Sequence, residues 1–226
     1  MPTVMKLSTS AYQLFSQLPS CDVACVYVLD CTQHQEPPQT DLDLVIRQVS
    51  AESLEKITQG AAYDFTAKDA EEIADTANCL AAFVDDQLAG YLWYRDGEIP
   101  AEMNTPGAPF RGFDLELGDT TQYLFKVFVH EHYRGHRINQ FLCQELARQL
   151  VAQGYDKIVT LTAWENAAFR KSAERMGFIK TGQCVEWTTH SKSIYYFAKE
   201  DATILRFSAP DVSAEKQRLE DKVAEA

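Results

Sequence analysis

QYLFKVFVHEHYRGHRINQFLCQELARQLVAQG, residues 122–154, is the stretch whose reading decides the fold. Its first eight residues, 122–129, are apolar enough for a strand buried on both faces. HEHYRGHR (130–137) is polar and contains a glycine, so the chain loops there. Beyond it Ile138, Phe141, Leu142, Leu146, Leu150 and Val151 recur at helical spacing, and Gly154 stands where a helix ends. KIVTLTA (157–163) predicts the next strand. Asn166 is placed to cap a second helix over AAFRKSAERM, with Phe169, Ala173 and Met176 on one face and Gly177 at its end. Strand, loop, helix, strand, helix is an α/β arrangement.

Working outward toward the N-terminus, residues 97–120 are rich in Gly, Pro and Asp and predict a long loop. AAFVDDQLAGYLWYRDG predicts a hairpin with Asp85-Asp86 at its turn and strands over 81–84 and 88–94. Helices are expected over 67–79 and over 51–58, the latter capped by Ser50, and a strand over 44–49. QHQEPPQTD (33–41) is a linker. The first 40 residues hold a helix candidate at 10–18 and the apolar run 23–29. Toward the C-terminus, strands around 183–188 and 193–198 close the domain, and 211–226 is a charged tail. The expected organisation is an N-terminal extension (1–40), a domain (41–207) and a tail (208–226).

The chain has 226 residues, with 21 basic against 33 acidic side chains and a net charge of −12. A nonspecific nucleic-acid binder needs the opposite sign. No apolar run approaches the length of a membrane span, and the start, MPTVMKLSTS, lacks a signal-peptide core. A cytoplasmic protein with no membrane and no nucleic-acid partner is expected. The charge is uneven: residues 1–110 carry 5 basic and 17 acidic side chains, whereas 126–180 carry 9 and 5. That division suits a protein handling a cationic ligand and an anionic one.

Cys21, Cys25, Cys31 and His34 lack paired zinc-ligand spacing, so free thiols are expected. His130, His132 and His136 have no matching carboxylate pattern, and no metal is expected. Trp93, Tyr94, Trp164 and Trp187 read as core or pocket wall.

Two landmarks carry a family resemblance. Val129 closes a strand that leads into Tyr133-Arg134-Gly135 at a helix start, and Asn166 is followed eleven residues on by Gly177-Phe178. In this the chain resembles the GNAT N-acetyltransferases, from LVIRQV (44–49) to the last strand. The resemblance implies an α/β fold of GNAT type, a mixed, splayed central sheet flanked by helices. It implies transfer of an acetyl or other acyl group from acetyl-CoA to a primary amine. On it, Val127, Phe128, Val129, Arg134, Gly135, His136, Arg137, Ile138, Asn139 and Asn166 are the expected cofactor-binding residues. The pyrophosphate would lie on the first-turn amides of the helix, and the pantetheine arm would pair with Val127 and Val129.

The chain departs from the family pattern at Arg137 and Asn139, which replace motif glycines, and at Ala173, where many members carry the tyrosine that protonates the leaving thiolate. Ser172, a nearby tyrosine or water is left for that role. Glu165, at a strand end, and Glu116, in the acidic group Asp114, Glu116 and Asp119, are the expected catalytic carboxylates. The acidic first half favours a small cationic acceptor. A noncatalytic GNAT-like module that binds or senses an acyl cofactor, an acyl-carrier-protein-dependent enzyme, and a homodimeric assembly all stay open.

Overall fold

In the computed structural model, residues 21–33, 38–59, 63–66, 70, 71, 73, 76–104, 114–189, 192–198 and 204–208 are described. Along the chain run β1 (Cys21–Asp30), β2 (Leu44–Val49), α1 (Ala51–Thr58), β3 (Asn78–Val84), β4 (Gln87–Arg95), β5 (Glu98–Ile99), β6 (Asp114–Leu117) and β7 (Thr121–Val129). They are followed by α2 (Ile138–Ala152), β8 (Lys157–Ala163), α3 (Ala167–Arg175), β9 (Ile179–Thr189), β10 (Lys192–Ala198) and β11 (Leu205–Ser208). The described strands form an eight-stranded sheet in the order β10-β9-β1-β8-β7-β4-β3-β2 and a small sheet in the order β11-β6-β5. Among the described strands of the large sheet only β7 and β8 pair in parallel, which makes that sheet mixed.

Local signals account for most of these elements. Ser50 accepts the Ser53 N–H at 3.1 Å and starts α1; Asn166 accepts the Phe169 N–H at 3.0 Å and starts α3. Asp85 and Asp86 turn the β3–β4 hairpin with φ of 48° and 61°, the paired positive values that match strand twist. β3 begins at Asn78, so the helix expected to reach Cys79 gives way to a strand; residues 78–84 lie on the sheet with only Asn78 exposed. The loop expected over 97–120 contains β5, a 3₁₀ turn at Ala101–Met103 and β6. Leu115 and Leu117 alternate inward from Asp114 and Glu116, and this period of two holds β6 against the large sheet. The helix expected at 10–18 and the charged tail lie outside the described residues.

The strand expected in the N-terminal extension is integral to the sheet. β1 pairs antiparallel with β8 from Ala24↔Ala163 to Asp30↔Lys157, and with β9 from Cys21↔Trp187 to Val28↔Ile179. Residues 23–29 are all buried. At its end, Lys157 Nζ lies 3.4 Å from the Asp30 carboxylate and the Cys31 N–H donates to the Asp156 carbonyl at 2.8 Å. A residue-40 boundary therefore separates a central strand from its neighbours.

Three apolar clusters hold the layers together. On one face of the sheet, Ile138, Leu142, Leu146 and Leu150 of α2 and Ala173 of α3 pack on Leu80, Leu92, Leu124 and Tyr27. Burying each such large α2 side chain contributes about 1.5–3 kcal/mol. On the other face, the small sheet covers Val26, Tyr123, Val159 and Leu161, while α1 and Phe65 cover Phe83, Tyr91 and Trp93. Cys25, Cys31, Cys79, Cys143 and Cys184 are free thiols. Burial pushes the Cys31 thiol up to about 12.

Candidate active site

The site begins where two strands part. β7 pairs with β8 only at Thr121↔Lys157, Gln122↔Ile158 and Tyr123↔Val159. Beyond Tyr123, β8 stays on β1 while β7 stays on β4, so the two diverge toward their C-terminal ends. The β4–β7 register shifts between Trp93 and Tyr94, which leaves Phe125 as the extra residue on β7. An extra residue bends its strand, and here the bend opens the wedge.

The wedge-side polar groups of β7 follow from its pairing. The His130 N–H donates to the Ala89 carbonyl at 2.9 Å, so in this antiparallel ladder Phe128 and Lys126 also turn their N–H groups toward β4. Val127 and Val129 turn theirs into the wedge. Gly90 lets the strands approach at this level: a Cβ there would stand 2.6 Å from the Phe128 carbonyl oxygen and 3.1 Å from Ile138 Cγ2.

At the wide end a 3₁₀ turn, Glu131–Tyr133, leads into α2. The Arg134 and His136 N–H groups donate back to Glu131 and Tyr133 at 3.2 and 3.3 Å. Among the described residues no backbone acceptor takes the N–H of Gly135, Arg137, Ile138 or Asn139. Gly135 has φ +88° and Arg137, the residue before α2, φ +61°. Glycine takes that conformation freely; an arginine holds it at a cost of about 1–2 kcal/mol. The turn faces a cleft of about 460 Å³ lined by Val129, Tyr133, Arg134, Gly135, Arg137, Ile138, Asn139, Gln140, Ser172, Arg175 and Met176. Among the described residues, three guanidinium groups and no carboxylate line it, and the buried Asn139 Oδ1 has no partner. Unpaired first-turn amides with cations around them form an anion site.

The sequence model of the Acetyltransferase (GNAT) family matches residues 46–178, more than half of the chain. The chain belongs to the GNAT family. A tandem GNAT protein from the clavulanic acid biosynthesis pathway superposes with a TM-score of 0.50 at 15% identity, over 89% of this chain and 62% of that one. A GCN5-related N-acetyltransferase from Sphaerobacter thermophilus gives 0.46 at 15% identity, over 92% and 59%. Ribosomal-protein-alanine N-acetyltransferase from Brucella melitensis biovar Abortus 2308 gives 0.41 at 23% identity, over 59% and 90%. This chain thus spans about three fifths of the length of the first two. No curated protein sequence matches it.

Within the GNAT frame, the structure brings Val129, Arg134, Gly135, Arg137, Ile138 and Asn139 to one cleft and turns the Val127 N–H into the wedge beside it. His136 is exposed and does not line the cleft. Phe128 turns its backbone to β4 and stacks its ring on Tyr91, centroids 5.4 Å apart, on the opposite face of the sheet. Asn166 uses its side chain to cap α3. Glu165 is exposed just beyond β8, at the end of the sheet where the strands part. Glu116 faces solvent from the small sheet, opposite Glu98.

Ser172, the hydroxyl considered for the leaving thiolate, lines the cleft, and so does Arg175, which the sequence reading missed. They stand three apart on α3 and so share a face. A basic residue one turn from Ser172 was the available signal. Ala173, between them, is fully buried beneath α3. Of the aromatic residues, Trp93 and Tyr94 are buried. Trp164 is partly buried against the core, and the Arg170 and Lys180 charges lie 4.8 and 4.4 Å from its ring centroid. The Trp187 side chain lies outside the described residues.

Among the described residues, no three His, Cys, Asp or Glu side chains are grouped to hold a metal ion. Nor, among them, is any helix long and apolar enough to cross a membrane. Tyr123 stands on β7 at the last pair of the closed part; it is buried and donates to Asn104 Oδ1 at 2.7 Å. Burial raises its pKa, so it acts as a neutral phenol.

Proposed function

We propose that this chain transfers an acetyl group from acetyl-CoA to a primary amine, with a small cationic molecule as acceptor. The observation that carries the reading is the parting of β7 and β8 beside unpaired amides and three arginines. Gly135, Arg137, Ile138 and Asn139 would offer their N–H groups to the pyrophosphate, with Arg134, Arg137 and Arg175 supplying charge. Val127 and Val129 would pair with the amides of the pantetheine arm as a neighbouring strand does. Asn139 Oδ1, buried and unpartnered, fits a donor on the same ligand.

A wedge-side N–H near Val129 polarises the thioester carbonyl while the neutral amine attacks. Glu165, or water that it orders, takes the ammonium proton; its place at the parted strand ends favours it over Glu116. Ala173 has no proton to give, so the leaving thiolate takes one from Ser172, Tyr133 or water. A thiol with a pKa near about 8.5 leaves tolerably without full protonation.

Calorimetry with acetyl-CoA is the primary test. Binding by the wild type, its loss in Gly135→Asp and its retention in Gly135→Asn are expected, because Asn tolerates positive φ and adds no charge. Unchanged affinity in Gly135→Asp would overturn the assignment. Saturable binding without turnover of any amine would instead support the noncatalytic reading. Uptake of an acyl-carrier protein but not of acetyl-CoA would support the third. Glu165→Gln is expected to lower turnover about 10²-fold and spare cofactor affinity; loss in Glu116→Gln alone would reassign the base.

A further inference from the structure

We propose that this chain reads the ribose 3′-phosphate of coenzyme A, with Arg137 and Arg175 as the residues that hold it. The inference rests on the acetyl-transfer reading above and names which form of the acyl donor the site selects. It starts from the charge in the cleft of about 460 Å³. Arg134, Arg137 and Arg175 line that cleft, and among the described residues none of the three has an ion-pair partner. Arg175 Nε donates to the Lys171 carbonyl at 3.1 Å, within its own helix, which leaves both Nη groups for another acceptor. Three unpaired like charges in one cleft repel one another, and a bound anion relieves that repulsion.

The pyrophosphate accounts for only part of this charge. It carries about two negative charges, which the N–H groups of Gly135, Arg137, Ile138 and Asn139 meet together with the Arg134 guanidinium. That contact uses the backbone of residue 137 and asks nothing of its side chain. Glycine would supply the same amide and take the φ of +61° freely, whereas arginine holds it under strain. A strained residue kept at a binding turn points to a contact that its side chain makes. Arg175 comes from α3, the other helical wall of the cleft, and so stands outside the turn that cradles the pyrophosphate.

Coenzyme A has one further anion, the phosphomonoester on the ribose 3′ oxygen, with a charge of about −1.5 to −2 at pH 7. Two guanidinium groups match that charge, and their planar forks fit its terminal oxygens. The neighbouring 2′-hydroxyl is a donor, which the buried and unpartnered Asn139 Oδ1 of the same cleft calls for. Dephospho-CoA and a phosphopantetheine arm on a carrier protein both lack this phosphate. The same contact therefore selects free coenzyme A over either.

Calorimetry with CoA and with 3′-dephospho-CoA reads the contact without turnover. The wild type is expected to bind CoA about thirtyfold more tightly at low salt, with the ratio falling as salt rises. Arg175→Ala and Arg137→Gly should each reduce that ratio to about threefold, by weakening CoA and leaving dephospho-CoA unchanged. Both positions are exposed, and glycine suits the φ of residue 137, so both variants should fold. Arg134→Ala should weaken both ligands and keep the ratio. Equal wild-type affinities overturn the proposal. So does loss of both ligands alike in Arg137→Gly or Arg175→Ala, since that guanidinium then serves the pyrophosphate. Failure of the wild type to bind either ligand overturns the reading on which the proposal rests.

Discussion

Replacing Gly90 by alanine should loosen the wedge and lower stability together. The added Cβ would sit 2.6 Å from the Phe128 carbonyl oxygen, 3.1 Å from Ile138 Cγ2 and 3.4 Å from the Val129 Cα. The first contact is with backbone, which cannot swing aside as a side chain can. β7 must move off β4, or α2 must lift at its first residue; overpacking of this kind costs about 1–3 kcal/mol. For a domain of this size a loss of about 2 kcal/mol lowers Tm by roughly 4–8 °C. The same movement displaces the N–H groups of Val127 and Val129, so acetyl-CoA affinity should fall as well. Thermal unfolding followed by circular dichroism, with calorimetry on the folded variant, reads both effects. An unchanged Tm would refute the close approach of β4, β7 and α2 described above. A lowered Tm with full cofactor affinity would refute the link between Gly90 and the wedge.

Arg175→Ala should weaken acetyl-CoA binding about tenfold, the loss of one charge-assisted contact of about 1.5 kcal/mol. The difference should shrink with added salt, and equal Kd values for both proteins would remove Arg175 from the site. Deleting residues 1–30 removes β1 from between β8 and β9 and should abolish cooperative unfolding; a sharp transition in the truncated chain would refute the central place of that strand. The Asp30 carboxylate accepts the Thr32 hydroxyl and N–H at 2.6 and 3.0 Å and faces Lys157, which together hold its pKa below the usual carboxylate value. Its contribution is therefore present above about pH 4 and lost as pH falls through the lower folded-state value. The urea midpoints of wild type and Asp30→Asn should converge on acidification from about pH 6 to pH 3; a constant gap would show that the shift contributes nothing to stability.

The elements with local causes were legible in the sequence. Apolar spacing from Ile138 to Val151 marks α2, Ser50 and Asn166 mark two helix starts through their own side chains, and Asp85-Asp86 marks a hairpin. The family landmarks lie in that same class, because Val129, Arg134, Gly135 and Asn166 are spaced along one continuous strand–loop–helix–strand–helix run. The short strands β5 and β6 were not legible, since two and four residues within a Gly-, Pro- and Asp-rich stretch carry little periodicity.

Long-range pairing alone decides the rest. Nothing in VACVYVL states that it will lie between residues 157–163 and 179–189, because a buried apolar strand satisfies its backbone equally well beside any open neighbour. The wedge exists because β8 continues on β1 while a bulge bends β7 with β4, a competition among four strands distant in sequence. Arg175 reaches the cleft, Glu116 turns away from the sheet, and Asp64 comes to rest on the Tyr91 hydroxyl for the same reason. The positions of those side chains are set by what packs beneath them, and periodicity tells which residues face inward without telling what they will meet there.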